Sequence, residues 1–317
     1  SRTRPGSLSW TWVWADSAPL VLEPEQIELQ VRAALATGFR GVGFWKTEPL
    51  DSERAGGRER QLMIGLINRE LKLLEPWLST STLIGSLPVR IGRPLTPVAA
   101  TQSRDRVRRG RSRQEVVLTE PVVAPEAPRI DRRLRAALFR TDFGRLVLPT
   151  WSEENAQFVP GQMAVADVSI VVPGGDETAT AWEVSLTGLR SLPLNRVTGG
   201  VEVRLGRLDR SSMILLTSDQ HLVTLLREKV AGLAPEAARM TLELAQRKLE
   251  RTRGIDRELT ELGVPLSDGT RLLSRAATCL VQAASELDRR RFDQSRYWSD
   301  SGLQLIRILQ RSHWENA

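Results

Sequence analysis

LSWTWVWAD (residues 8–16) and FRGVGFWK (residues 39–46) each read as one buried strand, and Ile27, Val31 and Leu35 between them repeat at helical spacing. The three segments make a β-α-β unit, and a second helix follows. Side chains alternate along a strand, so Trp10, Trp12 and Trp14 share one face of the first strand, with Thr11 and Val13 on the other. On the second strand Gly41, Gly43 and Trp45 share a face opposite Val42 and Phe44. Large side chains beside glycines on a parallel neighbour suit the inside of a closed barrel, which must be filled without overpacking. Thr11, Val13, Val42 and Phe44 then meet the outer helices. This parity puts Asp16 and Trp45 at the C-terminal mouth, where (β/α) barrels keep their chemistry.

A complete (β/α)8 barrel takes about 250 residues. Only residues 1–80 carry βα character, so they read as its last two βα units, with the earlier strands upstream of this sequence. The chain then reads as the tail of a longer protein. The other arrangement is a small open α/β layer capping the next domain. No signal peptide or membrane-spanning run is read, and the sequence leaves localisation open. Pro24 suits the first turn of the first helix and Gly38 its C-terminal cap. The second helix carries Leu62, Leu66, Leu73 and Trp77, and Pro76 is expected to end or kink it.

Residues 81–131, rich in proline and arginine, read as a linker or long insertion. From 132 to 218 the period changes to two. Strands are expected at 134–140 and 145–149, turning on Thr141-Asp-Phe-Gly144, then at 165–172, 179–185, 189–194, 201–205 and 213–217. Gly199-Gly200 marks a hairpin turn. About seven short strands at this spacing predict an antiparallel β-sandwich. Residues 219–317 read as a helical hairpin or bundle, with helices near 219–230, 235–262, 270–289 and 293–314. Met240/Leu244 and Leu273/Ala276/Leu280/Ala284/Leu287 form apolar stripes, and Gly263-Val-Pro265 breaks the helices apart.

With 317 residues, 41% of them hydrophobic, the chain has material for about two to three domains. Its net charge of +7 is concentrated in residues 104–113 (RDRVRRGRSR), which hold six arginines and one aspartate. That run contains no aromatic residue to stack on bases and reads as a solvated loop, so nucleic-acid binding is not expected. Cys279 is the single cysteine, and His221 and His313 are the two histidines. Neither histidine has metal-ligand spacing or a nucleophile beside it, and no phosphate or dinucleotide fingerprint follows a strand. No cofactor or metal is implied. Any catalytic groups would be carboxylates.

The stretches RGVGFW (40–45), LVLPTW (146–151), AQFVPGQ (156–162), VTGG (197–200), LTSD (216–219) and the terminal HWENA (313–317) together resemble large bacterial proteins of glycoside-hydrolase type. In those, a (β/α)8 barrel of the clan that includes β-galactosidase-like and amylase-like enzymes is followed by a β-domain. The resemblance implies carbohydrate chemistry through two carboxyl groups. If the first strand here is the seventh of the barrel, Asp16 matches the nucleophile position, and Glu48 is a second possibility. Family nucleophiles on that strand are more often glutamate, and both residues also read as ordinary turn or loop positions. The acid/base partner would lie upstream, so this chain alone should not turn over substrate. Export is suggested by the resemblance alone.

Sugar rings stack their C–H faces on indole, which makes Trp14 and Trp45 subsite candidates, with Lys46 hydrogen-bonding a hydroxyl or carboxylate. Trp10 and Trp12 are expected to fill the barrel interior. Trp151, Gln157, Gln162 and Trp182 offer a second sugar-contacting surface, although packing is the commoner role for the two tryptophans. Three readings follow: the C-terminal part of a carbohydrate-active barrel enzyme, a non-catalytic carbohydrate- or protein-binding scaffold with the helical tail docking a partner, and a polyanion binder acting through residues 104–113 with steep salt dependence.

Overall fold

A computed structural model describes residues 9–15, 22–46, 56–94, 129–151, 164–174 and 178–316. The fold is mixed α/β, with two sheets and five helices among these residues. β1 (Trp10–Trp14) and β2 (Gly41–Trp45) pair in parallel, with Trp10 opposite Gly41, Trp12 opposite Gly43 and Trp14 opposite Trp45. α1 (Pro24–Ala36) connects them. Gln26 Oε1 accepts the Glu23 N–H at 2.8 Å at its start, and Gly38, at φ +94°, reverses the chain at its end.

α2 (Gly57–Thr80) runs through Pro76 rather than ending there. Trp77 and Leu78 stay buried, so packing of the last turn outweighs the one backbone hydrogen bond that proline removes. Ser81 then leads directly into β3 (Thr82–Pro94). This strand occupies the start of the stretch 81–131 expected to be a linker, yet it sits mid-sheet between β4 and β6. Val89 and Ile91 point inward, fully buried, and Leu87 packs with them. Their burial overrides the propensity of the prolines and arginines between them.

β4 (Arg129–Thr141), β5 (Gly144–Trp151), β6 (Val165–Val172), β7 (Thr180–Val184), β8 (Leu189–Leu192), β9 (Leu194–Val197), β10 (Gly200–Leu208) and β11 (Ile214–Thr217) complete the larger sheet. Its order is β8-β7-β11-β5-β4-β3-β6-β10-β9, and every pairing is antiparallel. Where a sandwich of two sheets was expected, hydrogen bonding links all nine strands in one. The two edge strands, β8 and β9, are consecutive in sequence and separated by Pro193, whose carbonyl accepts the Arg204 N–H at 3.1 Å. The sheet therefore curls until it nearly closes. Leu138, Val147, Val168, Ile170, Val203 and Ile214 fill the inside, while Phe139, Leu146, Leu148 and Leu215 point outward against the helices.

α3 (Gln220–Glu261) is one helix of 42 residues, about 63 Å long, in place of the two expected at 219–230 and 235–262. Pro235 lies inside it, with Val230, Ala234, Ala237 and Ala238 buried on the same stripe. α4 (Gly269–Asp288) and α5 (Phe292–Asn316) follow, and α5 packs along both α4 and α3. A Cβ on Gly302 would stand 2.8 Å from Leu280 Cδ2, which is why that crossing needs glycine. No helix among the described residues is long and apolar enough to cross a membrane.

Candidate functional site

The two-stranded sheet has one covered face and one bare face. Val13 is buried, and Val42 and Phe44 pack into the core beside α1 and α2. The opposite face carries Trp10 (70% exposed), Trp12 (71%), Trp14 (40%) and Trp45 (49%). Trp10 and Trp12, expected to fill a barrel interior, have no cover among the described residues. Their rings lie flat across the neighbouring strand, over Gly41 and Gly43, and a Cβ at either glycine would run into the indole above it. Trp12 and Trp45 meet edge to face, with ring centroids 6.3 Å apart and planes at 79°.

The free edge of β1 is partly closed. Ala15 N–H donates to the Trp45 carbonyl, and the Ser9 carbonyl accepts from Arg40, each at 2.9 Å. By strand alternation Thr11 and Val13 also bond towards β2, which turns the main-chain groups of Trp10, Trp12 and Trp14 outward. Gln30 from α1 meets Trp14 there: its Oε1 accepts the Trp14 N–H at 3.1 Å and its Nε2 donates to the Trp14 carbonyl at 3.3 Å. Lys46, at the end of β2, is exposed beside Trp45. Chemically this is a glycine-floored aromatic platform, with the exposed Lys46 following Trp45 in the chain. It can stack on the flat apolar face of a ligand and hydrogen-bond its rim.

No family model matches this chain, and neither does any curated protein or solved structure.

The unit bearing the platform is fastened to the rest of the molecule by a chain of ion pairs. Arg251 of α3 bridges Glu23 and Glu59, each at 2.8 Å. Lys248, fully buried, reaches Glu25 at 2.5 Å and Glu23 at 3.1 Å. Arg307 of α5 pairs with Asp209, in the β10–β11 connection, at 2.5 Å and lies 3.8 Å from Glu25. Beyond Asp209, Arg210 meets Glu28 at 2.6 Å and Asp300 at 3.7 Å. Asp300 pairs in turn with Arg296 at 3.4 Å, and Arg32 pairs with Glu70.

Burial by itself would raise the Glu25 carboxyl. The charges of Lys248, Arg307 and Arg210 outweigh it and bring Glu25 down from 4.5 to about 2. Glu23 is lowered too, burial again being opposed and overcome by Lys248 and Arg251. Arg210 is raised despite burial, because Glu28, Asp209 and Asp300 surround it. A cavity of about 30 Å³ lies beside this network, bordered by Glu28, Glu70, Arg210 and Asp300, room for about one water molecule.

Of the residues singled out from sequence, the structure pairs Trp14 with Trp45 at one end of the small sheet, and Lys46 follows Trp45 in the chain. Asp16, Glu48, Gln157, Gln162 and the arginine run 104–113 lie outside the described residues. Trp151 is buried and donates its Nε1–H to the Asp209 carbonyl at 2.9 Å. Trp182 donates to Thr180 Oγ1 at 2.8 Å and lies under the Arg227 guanidinium, 4.9 Å from the ring centre. Both are used in packing. His313, from the HWENA stretch, is buried with Nε2 3.2 Å from Asp256 Oδ1, and burial lowers its pKa. Cys279 is half-buried, and burial raises its thiol, the reverse of what a nucleophile needs. Among the described residues no group of three or more His, Cys, Asp or Glu side chains is placed to hold a metal ion.

Proposed function

We propose that this chain is the C-terminal part of a carbohydrate-active protein of glycoside-hydrolase type, and that Trp14, Trp45 and Lys46, at the end of the tryptophan face, contact the sugar. The bare tryptophan face over Gly41 and Gly43 carries this reading. Parallel sheets are normally covered on both faces, so a parallel pair covered by helices on one side is the pattern expected of the last two βα units of a (β/α)8 barrel. In that arrangement the nine-stranded sheet is the accessory β-domain. Asp16 then takes the nucleophile position and Glu48 the weaker alternative, with the acid/base group outside this chain.

Two measurements test the reading. Titration with neutral oligosaccharides should change tryptophan fluorescence, and the change should disappear in a Trp12→Ala/Trp45→Ala variant. The same chain should release no product from aryl glycosides. Absence of any fluorescence response to gluco-, xylo- or galacto-oligosaccharides would remove the carbohydrate reading. Hydrolysis by this chain alone would show that its catalytic groups are all present. Binding without hydrolysis in a longer protein that includes upstream sequence would favour the non-catalytic scaffold.

A further inference from the structure

β3, β6 and β10 lie side by side, and one row across them breaks the ladder. Pairing between β3 and β6 passes from Ile91/Val168 to Arg93/Ala166, and between β6 and β10 from Leu205/Val168 to Arg207/Ala166. The row left out of both is Gly92–Asp167–Gly206. Asp167 sits at φ +52°, a left-handed conformation in the middle of a strand. The three residues floor a groove of about 550 Å³, within the range of small-ligand sites.

The distribution of glycine here is the reverse of what backbone strain alone would select. The left-handed position, where glycine would be free of strain, carries a carboxylate instead. Gly206 has no positive φ, and a Cβ there would meet nothing within 4 Å, so neither conformation nor packing requires it. Gly92 is needed, since its Cβ would stand 2.8 Å from the Asp167 Cβ. Glycines inside a strand commonly mark the close approach of a ligand to the main chain, and strained residues cluster at such sites.

The charged side chains of the walls are paired with one another. Arg204 donates to Glu202 Oε2 at 3.0 and 2.8 Å, Ser169 also hydrogen-bonds that carboxylate, and Arg190 is paired with Glu183. Asp167, by contrast, has no hydrogen bond or ion pair among the described residues. It is exposed, and its carboxylate can accept from a ligand, while guanidinium N–H groups not used by the carboxylates can donate. Counting Arg90, which also acts on Glu202, and Glu183, the partner of Arg190, three acidic and three basic described side chains lie in or against the groove, so no single sign of charge dominates it.

From this geometry we infer that the groove is a second binding site, for a neutral polyhydroxylated ligand such as a hexose unit, with Asp167 accepting from two adjacent hydroxyls. It shares no residue with the tryptophan face, and either site can fail without the other. The test is an NMR titration of the whole chain with neutral oligosaccharides at millimolar concentration, following the amides of Gly92, Asp167 and Gly206. The expected result is a saturable shift that persists in Trp12→Ala/Trp45→Ala. In Asp167→Asn, which keeps the tolerance for positive φ, affinity should fall by at least about tenfold, the order of one lost charge-assisted hydrogen bond.

Asp167→Gly separates binding from folding. It should raise the melting temperature by relieving the backbone and yet abolish the shift. Three results would overturn the inference: no shift at these amides with any neutral saccharide, a shift unchanged in both Asp167 variants, or a response only to cationic or anionic probes such as spermidine or inorganic phosphate.

Discussion

The inside of the nine-stranded sheet and the seam between α1/α2 and α3/α5 are both buried, but only the seam adds buried charges to its apolar contacts. Leu138, Val147, Ile170, Val203 and Ile214 fill the sheet with side chains that need only shape and volume. At the seam, Glu23, Glu25, Lys248, Arg251 and Arg307 are buried as charges that need particular partners at particular distances. An apolar interior tolerates small shifts, because dispersion and the hydrophobic effect are non-directional. A buried ionic seam does not: each cation serves two carboxylates, so losing one strands the others. The tryptophan platform rides on the second kind of interface. Its position is set by this charge pairing together with the apolar cluster shared by α1, α2, α3 and α5, while the groove at Asp167 lies on β3, β6 and β10 of the sheet.

The hardest blow to the seam is Lys248→Met. It leaves Glu25 buried without its closest partner and should cost about 3–5 kcal/mol in urea unfolding. A loss below about 1 kcal/mol would mean that the seam relaxes like an ordinary core, and the contrast would collapse. Leu138→Ala, inside the sheet, should cost about 2–5 kcal/mol through its cavity, and by the same amount at neutral and acidic pH.

Acid titration sharpens the difference. Glu25 has its folded pKa depressed from 4.5 to about 2, so the unfolded chain binds its proton more readily. The stabilisation is full above 4.5 and lost as pH falls towards 2, and it amounts to about 3 kcal/mol. Hydrogen exchange should show α1 opening before β6 over that window. In Lys248→Met the slope should shrink, because the largest of the charges that oppose burial at Glu25 is gone while Arg307 and Arg210 remain. Simultaneous loss of protection in α1 and β6 would show a single cooperative unit.

The smallest expected effect is at the platform. Trp12→Ala removes an exposed ring and should change stability by no more than about 0.5 kcal/mol. A larger loss in calorimetry would place Trp12 under cover in solution.

Much of the local structure was legible from residue pattern. α1 begins at Pro24 and ends before Gly38 as read, β6 spans 165–172 as read, and the turns at Thr141–Gly144 and Gly199-Gly200 fall where their glycines point. β3 was missed because Gly85, Pro88, Arg90 and Gly92 interrupt the alternation of Leu87, Val89 and Ile91, and because an arginine-rich stretch follows it. α3 was split at Pro235 because local propensity cannot weigh the buried alanines on either side. At the candidate platform the shared face of Trp14 and Trp45 was readable from strand parity, whereas the exposure of Trp10 and Trp12 was not. The seam left one faint signal: Glu25, Glu28 and Arg32 fall on the helical face adjoining the apolar Ile27, Val31 and Leu35.

By itself the sequence determined where most strands and helices form, β3 and the unbroken α3 excepted, and which side chains share a face, because those follow from periods of two and 3.6 within a few residues of chain. Only the tertiary structure decided that the strands join one curled sheet, that Lys248 lies against Glu25 across 223 residues, and that Asp167 stands between two glycines of other strands. Each of these depends on groups distant in sequence meeting in space. No local pattern encodes the partner of a buried charge.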